Sequence, residues 1–221
     1  EGGVFSDSTM PVTNVTLNHY GKSVLTWTET NWRCADSDTV GILFDEQPVV
    51  ADAGPDQTLD FIYTTKLNAL VPQVGKGKWT VVEGAGQIDD NTMPDATIIE
   101  LSEKNLLRWT VKNGVCPEIK DSMIIIINPL KIHKGFSPNG DGINDLFIIP
   151  TPNAEKISIK IYNRAGIMVF ESDDYNNGSL WDGKARNGID LPEGTYYYIM
   201  DVWVRGRSEP VNFKSFIEIL R

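Results

Sequence analysis

The chain has 221 residues, 41% of them hydrophobic, and carries 20 Lys and Arg against 30 Asp and Glu for a net charge of −10. That length holds one large or two ordinary domains with a buried core. The acidity and the lack of a Lys/Arg stripe along the chain argue against nucleic acid and anionic membrane, which bind through clustered cations. The longest aliphatic run, Met123 to Ile127, is far below the ~18 residues of a membrane-spanning helix, so no direct membrane span is expected.

The charge is uneven, with 11 basic and 12 acidic residues from Leu130 onward and 9 basic against 18 acidic before it. The chain opens on Glu1 without a basic-then-apolar leader, so a targeting signal at the amino end is expected to have been removed or to lie outside this segment.

An internal repeat organises the first half. Trp27-Thr28, Asn31 and Cys34 recur as Trp109-Thr110, Asn113 and Cys116, each 82 residues later, and Thr9-Met10-Pro11 recurs as Thr92-Met93-Pro94 after 83. The unit is one small domain. The second copy runs from about Pro48 to Asn128, while the first enters at its midpoint. Half a sandwich cannot cover its apolar face, so either residues before Glu1 are expected to complete it or the segment is expected to be poorly ordered in isolation. Within the full copy, "GKWTVVEG" (Gly77 to Gly84), "NLLRWTVKNG" (Asn105 to Gly114) and "SMIIIINP" (Ser122 to Pro129) are short β-branched or aromatic runs bounded by Gly, Asn and Pro. They predict the strands of a β-sandwich. Trp79 and Trp109, each inside an alternating strand, are expected in the core.

"ADAGPDQTL" (Ala51 to Leu59) and "LRWTVKNGVC" (Leu107 to Cys116) resemble the opening strand and closing hairpin of the Ig-like, PKD-like repeats of large Bacteroidetes surface proteins. Cys34 and Cys116 hold the same place in different repeats and are expected to be unpaired thiols. The two histidines, His19 and His133, follow no catalytic spacing with either. Trp32, in the turn "ETNWRC" where the second repeat has Gly114, is the candidate platform for sugar.

After Pro129 the pattern changes. "KISIKIYN" (Lys156 to Asn163) alternates Ile157, Ile159 and Ile161 against polar residues, the period of a half-buried strand. "RAG" (Arg164 to Gly166) turns it into "IMVFES", predicting a hairpin with glycine at positive φ. "GTYYYIMDVWV" (Gly194 to Val204) and the closing "VNFKSFIEILR" (Val211 to Arg221) are two further strands. The expectation is all-β: tandem Ig-like sandwiches over residues 1–47 (the C-terminal half of a repeat) and 48–129 (a whole one), then an antiparallel β-sandwich over 130–221. A last strand at the very end of the chain offers an edge and a free carboxylate to a receptor.

Five stretches in order, "GFSPNGDGINDLF" (Gly135 to Phe147), "IYNRAGIMVF" (Ile161 to Phe170), "WDGK" (Trp181 to Lys184), "LPEGTYYYIMD" (Leu191 to Asp201) and "FKSFIEILR" (Phe213 to Arg221), resemble the type B C-terminal sorting domain of the Bacteroidetes type IX secretion system. This is the gliding-motility-associated C-terminal family. Ala165 stands where that family usually has Trp, and Ser215 where Gly is common. The resemblance implies an address read by the type IX secretion translocon and retention by a small outer-membrane β-barrel of the PorP/SprF kind. The protein would then be secreted, at the cell surface and outer-membrane associated. On that basis the residues for partner recognition are Phe136, Ser137, Pro138, Asn139, Asp141, Asn144, Asp145, Tyr162, Asn163, Arg164, Trp181, Asp182, Tyr196, Phe216, Ile219 and Arg221.

The first of those stretches also carries calcium-loop spacing. With Ser137 at position one, Asn139, Asp141, the Ile143 carbonyl and Asp145 fall at three, five, seven and nine, and Gly142 at six. Position twelve is Ile148 rather than Glu, which would leave affinity in the weak range of about 10⁻⁴ to 10⁻³ M. The competing reading is an ion-free turn, in which Asn and Asp bond the backbone and Gly140 and Gly142 take positive φ. No other cofactor is expected. HExxH, GxSxG and P-loop motifs are missing from the sequence, and adjacent Asp173-Asp174 point apart as a solvated turn. Two readings of the whole follow: the end of a multi-repeat adhesin, or the export tail of a secreted hydrolase or carbohydrate-binding protein whose active part lies upstream.

Overall fold

The structure is a computed structural model, and it describes residues 3–151, 153–178 and 180–221. It is all-β, with no helix among the described residues. At the amino end, β1 (Val4–Phe5) pairs with β2 (Val15–Thr16), and β3 (Gly21–Asn31) forms a long hairpin with β4 (Cys34–Phe44). Its apolar side chains stay in solvent, Val24 at 58% and Leu43 at 64% exposure. Trp32 at the tip is fully exposed with φ +54°, and Gly114, its counterpart 82 residues on, has φ +50°. The two repeats therefore share a backbone turn that suits glycine, and the first holds it with a bulky residue.

Seven strands follow: β5 (Gln57–Asp60), β6 (Thr65–Lys66), β7 (Lys76–Glu83), β8 (Gln87–Ile88), β9 (Thr97–Ile99), β10 (Lys104–Lys112) and β11 (Ile119–Asn128). They form a four-stranded sheet, β5-β11-β10-β7, and a three-stranded sheet, β6-β9-β8. The opening strand β5 lies parallel to the closing strand β11, and the other pairs are antiparallel. In β10 buried and outward residues alternate strictly, as one covered face demands. Trp79 and Trp109 face each other across the β7–β10 pair with ring centroids 5.1 Å apart, each 1% exposed, so both are core. Gly77 makes room for them, since a Cβ there would lie 1.9 Å from the Trp109 ring.

The C-terminal sheet contains β12 (Gly135–Phe136), β13 (Ala154–Tyr162), β14 (Met168–Ser172), β15 (Gly194–Val204) and β16 (Val211–Ile219) in the order β12-β16-β15-β13-β14. Its inner face presents Ile157, Ile159, Ile161, Tyr198, Met200 and Ile217, all buried, while Tyr197 and Ile199 face solvent. The second layer of this unit differs from a regular sheet. It is built of loops, with isolated bridges at Phe147–Trp181 and Lys184–Asp190, because the Gly-, Asn- and Asp-rich stretches between β12 and β15 favour turns over long ladders. The last strand keeps most of the edge expected of it. β15 pairs along one side of β16 over its whole length, and β12 covers the other side only at its end, at Glu218 and Ile219. Only the outer side of Val211–Ile217 is left without a strand partner.

The units meet through defined contacts. Asp45 accepts from the Val115 amide at 3.0 Å, and the Asn113 side chain donates to the Glu46 carbonyl at 2.8 Å. Further on, the turn between β15 and β16 inserts into the middle repeat. Glu100 donates its amide to the Gly206 carbonyl (2.7 Å) and its carboxylate accepts from the Ser208 amide (2.6 Å). Arg207 lies over the Tyr63 ring at 4.9 Å, and Phe61 meets Phe213 at 6.0 Å. Phe61 and Glu100 both take positive φ, +53° and +56°, a cost that persists only where surroundings over-determine it.

Candidate functional site

β13 ends, β15 begins and β16 ends on one side of the C-terminal sheet, and the five quoted stretches collect there. At the centre is Trp181, fully buried, with ring centroids 5.2 Å from Phe136, 6.3 Å from Phe170 and 5.4 Å from Tyr196. Its indole donates to the Lys184 carbonyl at 3.0 Å. Pro138 packs on Gly183 of the "WDGK" turn, where a Cβ would lie 2.8 Å from the proline ring. Asp182 caps that turn by accepting from the Lys184 amide at 3.2 Å.

Tyr175 ties this cluster to the loop layer. Its hydroxyl donates to the Phe147 carbonyl at 2.5 Å and accepts from the Trp181 amide at 3.1 Å. Burial, opposed by the Trp181 amide, pushes its phenol far above the usual tyrosine value. Sequence reading passed over Tyr175, because a tyrosine in the turn-rich "SDDYNNG" looks like a loop residue. Its signal is an aromatic among turn formers, which needs burial to be recognised.

Arg221 closes the same end. Its guanidinium donates to the carbonyls of Leu191 and, at 3.5 Å, Pro138, lies 3.8 Å from Asp190, and its amide donates to Glu193 at 2.7 Å. Tyr196, with its hydroxyl donating to the Pro192 carbonyl at 2.9 Å, and Ile219 are buried beside it. Burial raises the Tyr196 phenol, while Arg221 and Arg164 oppose the shift. Tyr162 and Asn163 lead into the hairpin, where Asn163 accepts the Ala165 and Ile167 amides and Gly166 has φ +76°. Arg164 is exposed at its tip. Phe216 lies farther back on β16, opposite Tyr197, with Lys134 5.2 Å over its ring.

The loop after β12 is held internally. Asp145 accepts three backbone amides, from Asn139 (3.0 Å), Gly140 (2.7 Å) and Gly142 (2.8 Å). The Gly140 and Gly142 amides, helped by that of Asn139, hold its carboxyl below the ordinary aspartate value. Asp141 accepts from the Ile143 amide at 2.8 Å and from the Asn139 side chain at 3.1 Å, and Asn139 accepts from the Asp141 amide at 3.0 Å. Ser137 donates to the Ile143 carbonyl at 3.3 Å and its amide bonds the Asn144 carbonyl at 2.8 Å. Gly140, Gly142 and Asn144 take positive φ. The oxygens assigned to calcium accept protein donors, and no group of three His, Cys, Asp or Glu side chains that could hold a metal lies together among the described residues. Cys34 and Cys116 are free thiols.

Residues 130–219 match the family model described as CHU_C Type IX secretion signal domain. The C-terminal segment is therefore a type IX secretion signal domain, and the chain that carries it is a secreted protein, of a class typically attached to the cell surface. No curated protein matches the chain. Among solved structures, the PKD domain from KIAA 1837 protein is 22% identical over 37% of this chain and 91% of its own, with a TM-score of 0.32. Domains 4–9 of the surface layer protein SbsC are 10% identical over 94% of this chain and 36% of their own (TM-score 0.27). Drosophila N-cadherin EC1-3 is 12% identical over 84% and 73% (TM-score 0.27). This chain spans about a third of the surface-layer fragment.

Proposed function

We propose that residues 130–221 are an export and anchoring plug, and that residues 1–47 and 48–129 are the last units of a repeat stalk belonging to a multi-repeat surface adhesin. The plug is read by the type IX translocon and then held by an outer-membrane β-barrel of the PorP/SprF kind, without catalysis. One observation carries this reading: motifs from five separate stretches, Phe136 to Arg221, gather at the end of the sheet where β15 begins. The other end of β15, eleven residues and about 33 Å away, is docked on the middle repeat through Gly206 and Arg207. An address must face its receptor while cargo trails behind it, and this polarity provides that.

The decisive experiment fuses residues 130–221 to a fluorescent reporter bearing a periplasmic signal in a bacterium with a working type IX system. Surface-exposed reporter, co-purifying with a small outer-membrane barrel, is the expected result. Reporter trapped in the periplasm would overturn the export role, and surface reporter free of any barrel would overturn the anchoring role.

A further inference from the structure

Of the nine basic residues before Leu130, five lie on one face of the middle repeat: Lys76, Lys78, Arg108, Lys112 and Lys120. Along the chain they are scattered. The sheet registers line them up, Lys112 opposite Lys76 and Thr110 between Lys78 and Lys120, with Arg108 one rung on, opposite Thr80. They line a shallow trough of about 630 Å³ on the outer side of the β7–β10–β11 sheet, floored by the hydroxyls of Thr80 and Thr110. The sole carboxylate among the trough-lining residues is Glu118, 3.1 Å from Lys120 and 3.8 Å from Lys112, and the lysines hold its carboxyl below the ordinary glutamate value. Rungs about 4.8 Å apart across strands and about 6.8 Å along them offer a regular grid of positive charge.

We propose that this face binds an anionic polysaccharide, a sulfated or uronate chain lying across the strands. Charge complementarity selects the class, because a cationic grid on a protein of net charge −10 attracts only what the rest of its surface repels. The hydroxyls between the cations match sugar hydroxyls. The aromatics of these strands, Trp79 and Trp109, are buried beneath the sheet, so the face has no stacking platform for the bases of single-stranded nucleic acid. This inference concerns residues 76–120 and is independent of the export reading.

The test titrates the full 221-residue chain with dextran sulfate, polygalacturonate, neutral dextran and duplex DNA. Binding to the two anionic polysaccharides, absent for neutral dextran and falling at least tenfold between about 50 and 200 mM salt, is expected. The triple substitution Lys78→Gln, Arg108→Gln, Lys120→Gln lowers it tenfold or more, whereas Lys131→Gln, Lys160→Gln, Lys214→Gln leaves it unchanged. Glu118→Gln frees two lysines and strengthens it severalfold, a gain that misfolding cannot imitate. No binding, equal loss in both triple variants, or DNA bound as tightly as the polysaccharides would overturn the proposal.

Discussion

The hydroxyl of Tyr175 stands between the Phe147 carbonyl (2.5 Å) and the Trp181 amide (3.1 Å), while the Phe147 amide bonds the Trp181 carbonyl directly at 2.9 Å. A side chain thus takes the place of one rung of a two-residue ladder. Tyr175→Phe keeps the ring and leaves a buried carbonyl and a buried amide without that partner. The expected cost is about 1–3 kcal/mol, read as a drop of several degrees in the melting temperature.

The same phenol carries a pH signature. Its folded value is raised by burial, so the neutral form is favoured in the fold. Stability it supports is whole below the unfolded value of about 10 and declines as pH rises beyond it. Denaturation at pH 9 and pH 11 should show wild type losing more stability over that interval than Tyr175→Phe. Equal losses would mean that the hydroxyl is not buried as described.

Asp145 behaves oppositely. Three amides lower its folded value, so its contribution is present above the unfolded value of about 3.9 and is lost as pH falls through the folded one. Asp145→Asn should be less stable than wild type at neutral pH, with the difference closing as pH falls through the lowered folded value. Because the carboxylate oxygens already serve amides, millimolar calcium should leave the wild-type melting temperature unchanged. A rise abolished by Asp145→Asn would favour the metal loop.

Gly206 has φ +89°, and a Cβ there would lie 2.6 Å from Thr64 of the middle repeat. Gly206→Val should push the β15–β16 turn off its seat, separating Arg207 from Tyr63 and Glu100 from Ser208. Calorimetry is expected to show residues 48–221 unfolding in one transition and the variant in two, with a larger radius of gyration by X-ray scattering. Unchanged profiles would refute a coupled junction.

Inside the middle repeat, Gly77→Ala places a methyl 1.9 Å from the Trp109 ring. Overpacking of this kind costs about 1–3 kcal/mol. Chemical denaturation should show it as a lower midpoint at constant slope.

The residues themselves determined the elements. Ile157, Ile159 and Ile161 alternate, the tryptophans of "GKWT" and "LRWT" sit at inward positions, and Asn163 with Gly166 specifies a tight turn, because a period of two and glycine's tolerance of positive φ act locally. The equivalence of Trp32 and Gly114 was legible as an 82-residue period and reappears as matching backbone angles. Tertiary structure decided what depends on pairing. How much of β16 stays an open edge follows from where β12 lands, and Tyr175 becomes a keystone only once Phe147 and Trp181 meet around it. Five cations spread over 45 residues, from Lys76 to Lys120, become a grid only when three strands come into register. Long-range register is set by the cooperative burial of many side chains at once, and no short window of sequence contains that sum.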